Sequence, residues 1–239
     1  MTLRKRAQPG YYPGYSTLGQ QKSWDDATRK VVSQRMARSK ELRFFSAEEA
    51  PLIEAIFEHI LPQADREEPY RIPIVAVVDE RLYSNRLDGY RYEDMPPDQE
   101  AYRLGMVAID EIAKQKDGRG FLDLTPLEQD KLLRTLHDGK PEGAHSIWKR
   151  MPVHRFWMLL VQDAVEAYYA HPYAWDEIGF GGPAYPRAYM RLERGEPEPW
   201  EVREERYEWK APEGSVSDTY ESIGGHDGHV ASPEQGGMR

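Results

Sequence analysis

One segment, Pro152–Ala170, constrains the fold of this chain more than any other. Its apolar residues recur at intervals of three and four over about four turns. They are Val153, Phe156, Trp157, Leu160, Val161, Ala164, Val165 and Tyr168. This spacing predicts a helix, and the wide apolar stripe is typical of the central helix of a core. His171-Pro172 is expected to end the helix, because the residue before a proline is disfavoured in helical geometry.

Other segments carry the same helical spacing. Ser46–Leu61 has an apolar stripe, and we expect its helix to start near Glu49 with Pro51 in the first helical position. Asp98–Lys114 has apolar residues on one face. Thr125-Pro126-Leu127-Glu128 has the pattern of a capping box, and it predicts a helix that runs until Asp138-Gly139.

The segment Ile72–Leu82 is ambiguous. Its β-branched residues favour a strand, whereas Pro73 followed by Val77, Val78 and Leu82 also fits a short helix. We favour the helix because no nearby segment supplies a partner strand, and no alternating strands or hairpin turns occur elsewhere. The predicted fold class is therefore all-α, an irregular helical domain with an extended N-terminal arm and an irregular C-terminal tail.

Charge and composition suggest three regions. Residues 1–43 hold ten Lys and Arg against three Asp and Glu, although the whole chain of 239 residues has a net charge of −9. We expect residues 1–43 to form a basic, aromatic-containing arm, which is either solvated or docked on an acidic surface, and residues 44–195 to form the helical domain. Residues 196–239 are acidic and then Gly-rich, so we expect an acidic extension and a tail that is disordered in isolation.

Several function classes are excluded or disfavoured. The chain has no cysteine, which excludes disulfides, thiolate zinc sites, iron–sulfur clusters and c-type haem attachment. Its acidic balance disfavours nucleic-acid binding. No segment approaches the ~20 apolar residues of a membrane span, and no apolar stretch follows Arg4-Lys5-Arg6, so no signal peptide is expected.

Few residues of the sequence are candidates for catalysis or for metal binding. His171 could act as a general base with Asp176 or Glu177, but a structural role at the helix end is the favoured interpretation. His154 and Asp163 are nine residues apart and lie on different sides of a helix, so we expect no metal site. The glycines around Phe180 lack the preceding strand and following helix of a nucleotide loop.

Aromatic residues in the flanks point instead to a partner. The arm contains Tyr11, Tyr12, Tyr15 and Trp24, and the Gly- and Pro-rich segment 172–189, expected to be irregular, contains Trp175, Phe180 and Tyr185. Such side chains are typical anchors of protein interfaces. These seven residues and His171 are the predicted partner-binding residues.

An ordered set of motifs resembles one known family. The set comprises Phe44-Phe45-Ser46, Ile60-Leu61-Pro62, Ala167-Tyr168-Tyr169-Ala170-His171-Pro172, Trp175, Ile178-Gly179-Phe180 and Gly182-Pro183-Ala184-Tyr185-Pro186. It is similar to the gluconate 2-dehydrogenase subunit 3 family, over roughly Phe44 to Tyr189. The preceding Tyr12-Pro13-Gly14-Tyr15 and Trp24–Arg29 also resemble an N-terminal extension of some relatives.

The resemblance implies a non-catalytic helical subunit with no cofactor of its own. Its partner would be a large FAD-containing subunit of the glucose–methanol–choline oxidoreductase type that oxidises a sugar or polyol, and a cytochrome c subunit is a further candidate partner. Family members often carry a twin-arginine leader, from which Arg4-Lys5-Arg6 departs. A cytoplasmic complex is therefore expected, or a periplasmic one if the partner carries the leader. The rival hypotheses are a stand-alone enzyme using His171 and a transient assembly chaperone.

Overall fold

The structure, a computed structural model, describes residues 16–180 except 38–40, 88, 90 and 179. Within these residues the chain forms eight α-helices and no β-strand, which confirms the predicted all-α class. The helices are α1 (Asp26–Met36), α2 (Ala50–Ile60), α3 (Ile74–Tyr83), α4 (Asp98–Asp117), α5 (Pro126–His137), α6 (His145–Trp148), α7 (Val153–Tyr169) and α8 (Pro172–Ile178). Short 3-10 turns cover Leu18–Ser23, Glu68–Tyr70 and Phe121–Asp123.

Local sequence signals place the starts of two helices. At α5, the Thr125 side chain accepts the backbone N–H of Glu128, and the Glu128 carboxylate accepts the backbone N–H of Thr125 at 2.7 Å. Ser46 and Glu49 form the same reciprocal pair before α2. Because α2 begins at Ala50, Pro51 is its second residue, one position from the prediction.

The helix α7 is the centre of the core. It packs against α2, α3, α4, α5 and α8, and its inward face buries Phe156, Leu160 and Ala164. Its apolar stripe is narrower than predicted, since Val165 is exposed and Trp157 and Val161 are only half-buried. Part of the apolar surface of α7 therefore faces solvent rather than the core.

Gly105 of α4 sets how closely α4 approaches α7. A Cβ atom built on Gly105 would overlap the ring of Phe156. That ring is fully buried, with its centroid 6.3 Å from the Tyr102 ring and 6.0 Å from the Trp148 ring. A closely packed interior cannot absorb an added atom without shifting its neighbours, so this helix contact requires glycine.

We therefore expect Gly105→Ala to lower the free energy of unfolding by about 2 kcal/mol, despite the better helix propensity of alanine. The expected cause is overlap with Phe156, and urea unfolding measures the loss. The same substitution in a Phe156→Leu background should cost less, because the ring atoms that the new methyl group meets are gone. An equal cost in both backgrounds would contradict this explanation.

Three helices lie where the sequence predicted none, and one of them, α6, has only four residues. The chain from Pro172 onward was expected to be irregular, but α8 forms there, because proline suits the first position of a helix and the glycines begin only at Gly179. The region of the predicted arm contains α1, whose Asp25 side chain caps it by accepting the backbone N–H of Thr28 at 2.7 Å. The predicted tail, residues 196–239, lies outside the described residues.

Candidate functional site

The eight predicted partner-binding residues fall into two groups. Tyr11, Tyr12, Tyr15 and Tyr185 lie outside the described residues. Trp24, His171, Trp175 and Phe180 lie around the corner at which α7 is followed by α8. Their role in binding a partner stays a prediction.

Within this corner, the two tryptophans are already covered by the chain itself. Trp24 and Trp175 are buried with Val32 and Leu18 in a small cluster separate from the main core. The indole N–H of Trp175 donates to the carbonyl of Tyr169 at 2.6 Å. Only 6% of Trp24 and 4% of Trp175 remain exposed to a partner. Phe180 is exposed.

Polar contacts hold residues 16–37 on this corner. The backbone N–H of Thr17 donates to Asp176 Oδ1 at 2.7 Å, and Arg35 Nη1 donates to the carbonyl of Ala170 at 2.9 Å. Burial raises the pKa of Asp176, and the hydrogen bonds from Thr17 oppose this rise. The α1 region is therefore anchored to the end of α7 and to α8.

His171 occupies a structural position in the turn between α7 and α8. It is buried, and its Nδ1 accepts the backbone N–H of Tyr173 at 3.2 Å. Asp176 accepts from Thr17, and Glu177 pairs with Arg66 and accepts the hydroxyl of Tyr168. Both carboxylates considered as catalytic partners of His171 thus have structural partners, which favours the structural role of the histidine.

A first charged cluster joins the segment after α2 to α7 and α8. The Arg66 side chain, only 1% exposed, forms an ion pair with Glu177. Arg66 also donates to the hydroxyl of Tyr168 and to the carbonyl of Tyr70, each at 3.2 Å. The Tyr168 hydroxyl donates to Glu177 Oε2 at 2.7 Å. This cluster fixes α8 to the main core.

A second charged cluster lies between α3, α4 and α7. Asp163 Oδ2 accepts from Arg81 Nη2 at 2.5 Å and from the Tyr102 hydroxyl at 2.6 Å, and Arg81 Nη1 donates to Asp98 at 2.6 Å. Burial raises the pKa of Asp163 to about 6, against the opposing effects of Arg81 and Tyr102. Burial also raises the pKa of Tyr102 well above its usual value, so its hydroxyl remains a donor.

The raised pKa of Asp163 predicts a pH dependence of stability. The folded carboxyl group holds its proton more tightly than the unfolded one, whose pKa is near 3.8. The stability that this group contributes is complete below about pH 4 and is lost as the pH rises through about 6. We expect that loss to be about 3 kcal/mol.

Because other groups titrate in the same range, the test compares unfolding free energies of the wild type and Asp163→Asn between pH 4 and pH 7. The difference between the two curves isolates the contribution of Asp163, and Asp130→Asn at the exposed surface is the control. Parallel curves for the wild type and Asp163→Asn would contradict the prediction.

Two of the open cavities beside α7 meet at Leu87. The larger of these two, about 310 Å³, lies between α1, α3 and α7, and its charged or titratable lining residues are Arg35, Arg81, Arg86, Asp163, Glu166 and His171. The smaller, about 100 Å³, is lined by residues that include Arg91, Tyr92, Asp98, Arg155 and Met158. Leu87 lines both cavities, so they adjoin.

Sequence reasoning missed both charged clusters. The sequence contains a sign of Asp163, because this charged residue falls on the inward face of α7 between Leu160 and Ala167. A charge at such a position needs a buried partner. Arg66 and Glu177 left none, since they lie far apart in the chain and neither interrupts a periodic segment.

Comparison with known proteins identifies the family. Residues 47–182, more than half of the chain, match the family described as gluconate 2-dehydrogenase subunit 3. The chain belongs to this family. The match to the gluconate 2-dehydrogenase subunit 3 family covers α2 to α8 and the residues of both charged clusters of this chain, whereas α1 precedes the matched residues. No curated protein and no solved structure matches the chain.

Membership in the gluconate 2-dehydrogenase subunit 3 family implies a subunit of a multi-subunit dehydrogenase. Between residues 16 and 180, as far as the structure describes them, no helix has the length and apolar character needed to cross a membrane. The same residues contain no group of three or more His, Asp or Glu side chains placed to hold a metal ion.

Proposed function

We propose that this chain is the non-catalytic small subunit of an FAD-dependent sugar or polyol dehydrogenase complex. Its partner is a large flavoprotein of the glucose–methanol–choline type, which it stabilises or helps to assemble. The FAD belongs to that partner, and a cytochrome c subunit is a further candidate member of the complex. The observation that carries the proposal is the family match over residues 47–182.

The arrangement of charged groups supports a non-catalytic role. Arg66 pairs with Glu177, and Arg81 pairs with Asp98 and Asp163. A catalytic acid or base has to reach a substrate, either directly or through one water molecule. In both clusters the side chains bind one another and connect helices, and those of Arg66 and Asp163 are only 1% and 3% exposed although Asp163 borders a cavity, which is the behaviour of structural groups.

Co-expression with the large flavoprotein subunit tests the proposal. We expect the two chains to elute together from affinity and gel-filtration columns, with the visible flavin spectrum in the complex and not in this chain alone. A monodisperse monomer beside a soluble, fully active flavoprotein would overturn the proposal.

Two further outcomes would assign one of the rival functions. Turnover by the isolated chain that is lost in a folded His171→Ala variant would show a stand-alone enzyme. A mature flavoprotein that needs this chain during expression but elutes without it would show a transient chaperone.

A further inference from the structure

The central helix α7 has a stripe of solvent-exposed residues along its length. The exposed positions include Met158, Gln162, Val165, Glu166 and Tyr169, which recur at intervals of three and four and therefore share one face. Met158 is 57% exposed and Tyr169 is 42% exposed. A helix of this length extends over about 25 Å. Three of these five side chains are large and apolar, so the described part of the chain leaves an apolar strip of its central helix uncovered.

Leu87 and Tyr92, which follow α3 in the sequence, line a cavity together with Met158 of this stripe. Leu87 is 51% exposed and lines both open cavities, the smaller of which also contacts Met158 and Tyr92. Leu87, Tyr92 and Met158 thus surround one depression. We call the surface formed by Arg86, Leu87, Arg91, Tyr92, Met158 and Gln162, which line these two cavities, the α7 groove.

The two cavities are lined by more arginines than carboxylates, and one of these arginines, Arg155, pairs with Asp94 beside the smaller cavity. Five arginines and three carboxylates line the two cavities, although the whole chain has a net charge of −9. Arg81 is paired inside the fold with Asp98 and Asp163. The exposed side chains of Arg86 and Arg91 lie outside that cluster. A positively charged rim beside apolar residues complements a partner that carries carboxylates beside an apolar stripe.

We propose that the α7 groove binds an acidic amphipathic helix of the flavoprotein subunit. This inference rests on the proposed function and adds the surface and the chemistry of the partner segment. A helix fits because side chains at intervals of three and four on α7 form the ridges into which a second helix packs. The carboxylates of the partner helix face Arg86 and Arg91, and its apolar side chains cover Leu87 and Met158.

The test compares two groove variants with matched controls in the full-length chain. The apolar variant is Leu87→Asp with Met158→Asp, and the charge variant is Arg86→Glu with Arg91→Glu. Two control variants carry corresponding changes on α4 and α5. Val107→Asp with Leu127→Asp matches the apolar variant, and Lys131→Glu with Arg134→Glu matches the charge variant. Val107 and Leu127 are 58% and 63% exposed and line neither cavity, so the controls change charge and hydrophobicity to the same extent.

We expect each groove variant to bind the flavoprotein about tenfold more weakly or worse, and the controls to bind as the wild type does. Raising the salt concentration should weaken binding of the wild type more than that of the charge variant. Circular dichroism confirms folding, and Leu87→Ser with Met158→Gln replaces the apolar variant if that one does not fold.

The outcomes separate the two proposals. If the wild type binds the flavoprotein and the folded groove variants bind equally well, the groove inference is overturned and the proposed function stands. If the wild type itself does not bind, both fail. If the charge variant binds as the wild type does and the apolar variant does not, the partner helix is not acidic, and the proposed acidic character of the partner segment is wrong.

Discussion

Replacing Glu177 with alanine is expected to lower the free energy of unfolding by about 3 to 5 kcal/mol. The substitution leaves the guanidinium group of Arg66 buried without its carboxylate, since that side chain is only 1% exposed. It also removes the acceptor of the Tyr168 hydroxyl. The remaining contacts of Arg66 with the carbonyl of Tyr70 and the hydroxyl of Tyr168 do not neutralise its charge. Chemical denaturation measures the loss.

A double variant separates this cause from simple loss of packing. Arg66→Met with Glu177→Leu removes both charges, so it should be less destabilised than Glu177→Ala alone. The exposed pair Arg134 and Asp130 on α5 is the control, and Asp130→Ala should change stability by less than about 0.5 kcal/mol. A double variant as unstable as the sum of both single variants would show that the charges act independently.

The sequence predicted the helices that have a wide buried face. The segments that became α2, α4, α5 and α7 repeat their apolar residues over several turns, and a buried stripe imposes this pattern. The ambiguous segment Ile72–Leu82 became α3, as expected from the lack of a partner strand. The missed helices lack this signal, because α1 buries only Val32, and α6 and α8 have just four and seven residues.

Burial of the flanking aromatic residues could not be predicted in the same way. A tryptophan in a flanking segment indicates that its ring is buried somewhere. The sequence does not tell whether the same chain or a partner buries it. Trp24 and Trp175 lie far apart in sequence and pack in one cluster. Val165 shows the reverse case, since periodicity assigned it to the core and the structure exposes it.

The second large effect is expected at Asp79, a buried residue of α3. Its carboxylate accepts three backbone N–H groups, those of Arg43, Phe44 and Phe45, each at 2.8 Å. These bonds hold the chain where Phe45 enters the core beside Tyr102. Asp79→Ala leaves all three donors without this acceptor, and an unpaired donor is most costly where it is buried, as the backbone N–H of Phe45 is. We expect a loss of about 4 kcal/mol in the free energy of unfolding.

Asp79→Asn distinguishes the loss of hydrogen bonds from the loss of the side chain. The amide oxygen can replace Oδ1, which accepts from Phe44 and Phe45, whereas the amide nitrogen cannot accept from Arg43. Asparagine should therefore be intermediate in stability between the wild type and alanine, and Asp117→Ala on the exposed end of α4 should be nearly neutral. Hydrogen exchange should accelerate at all three amides in Asp79→Ala and mainly at Arg43 in Asp79→Asn. If exchange at these amides is as slow in Asp79→Ala as in the wild type, the carboxylate does not hold this segment.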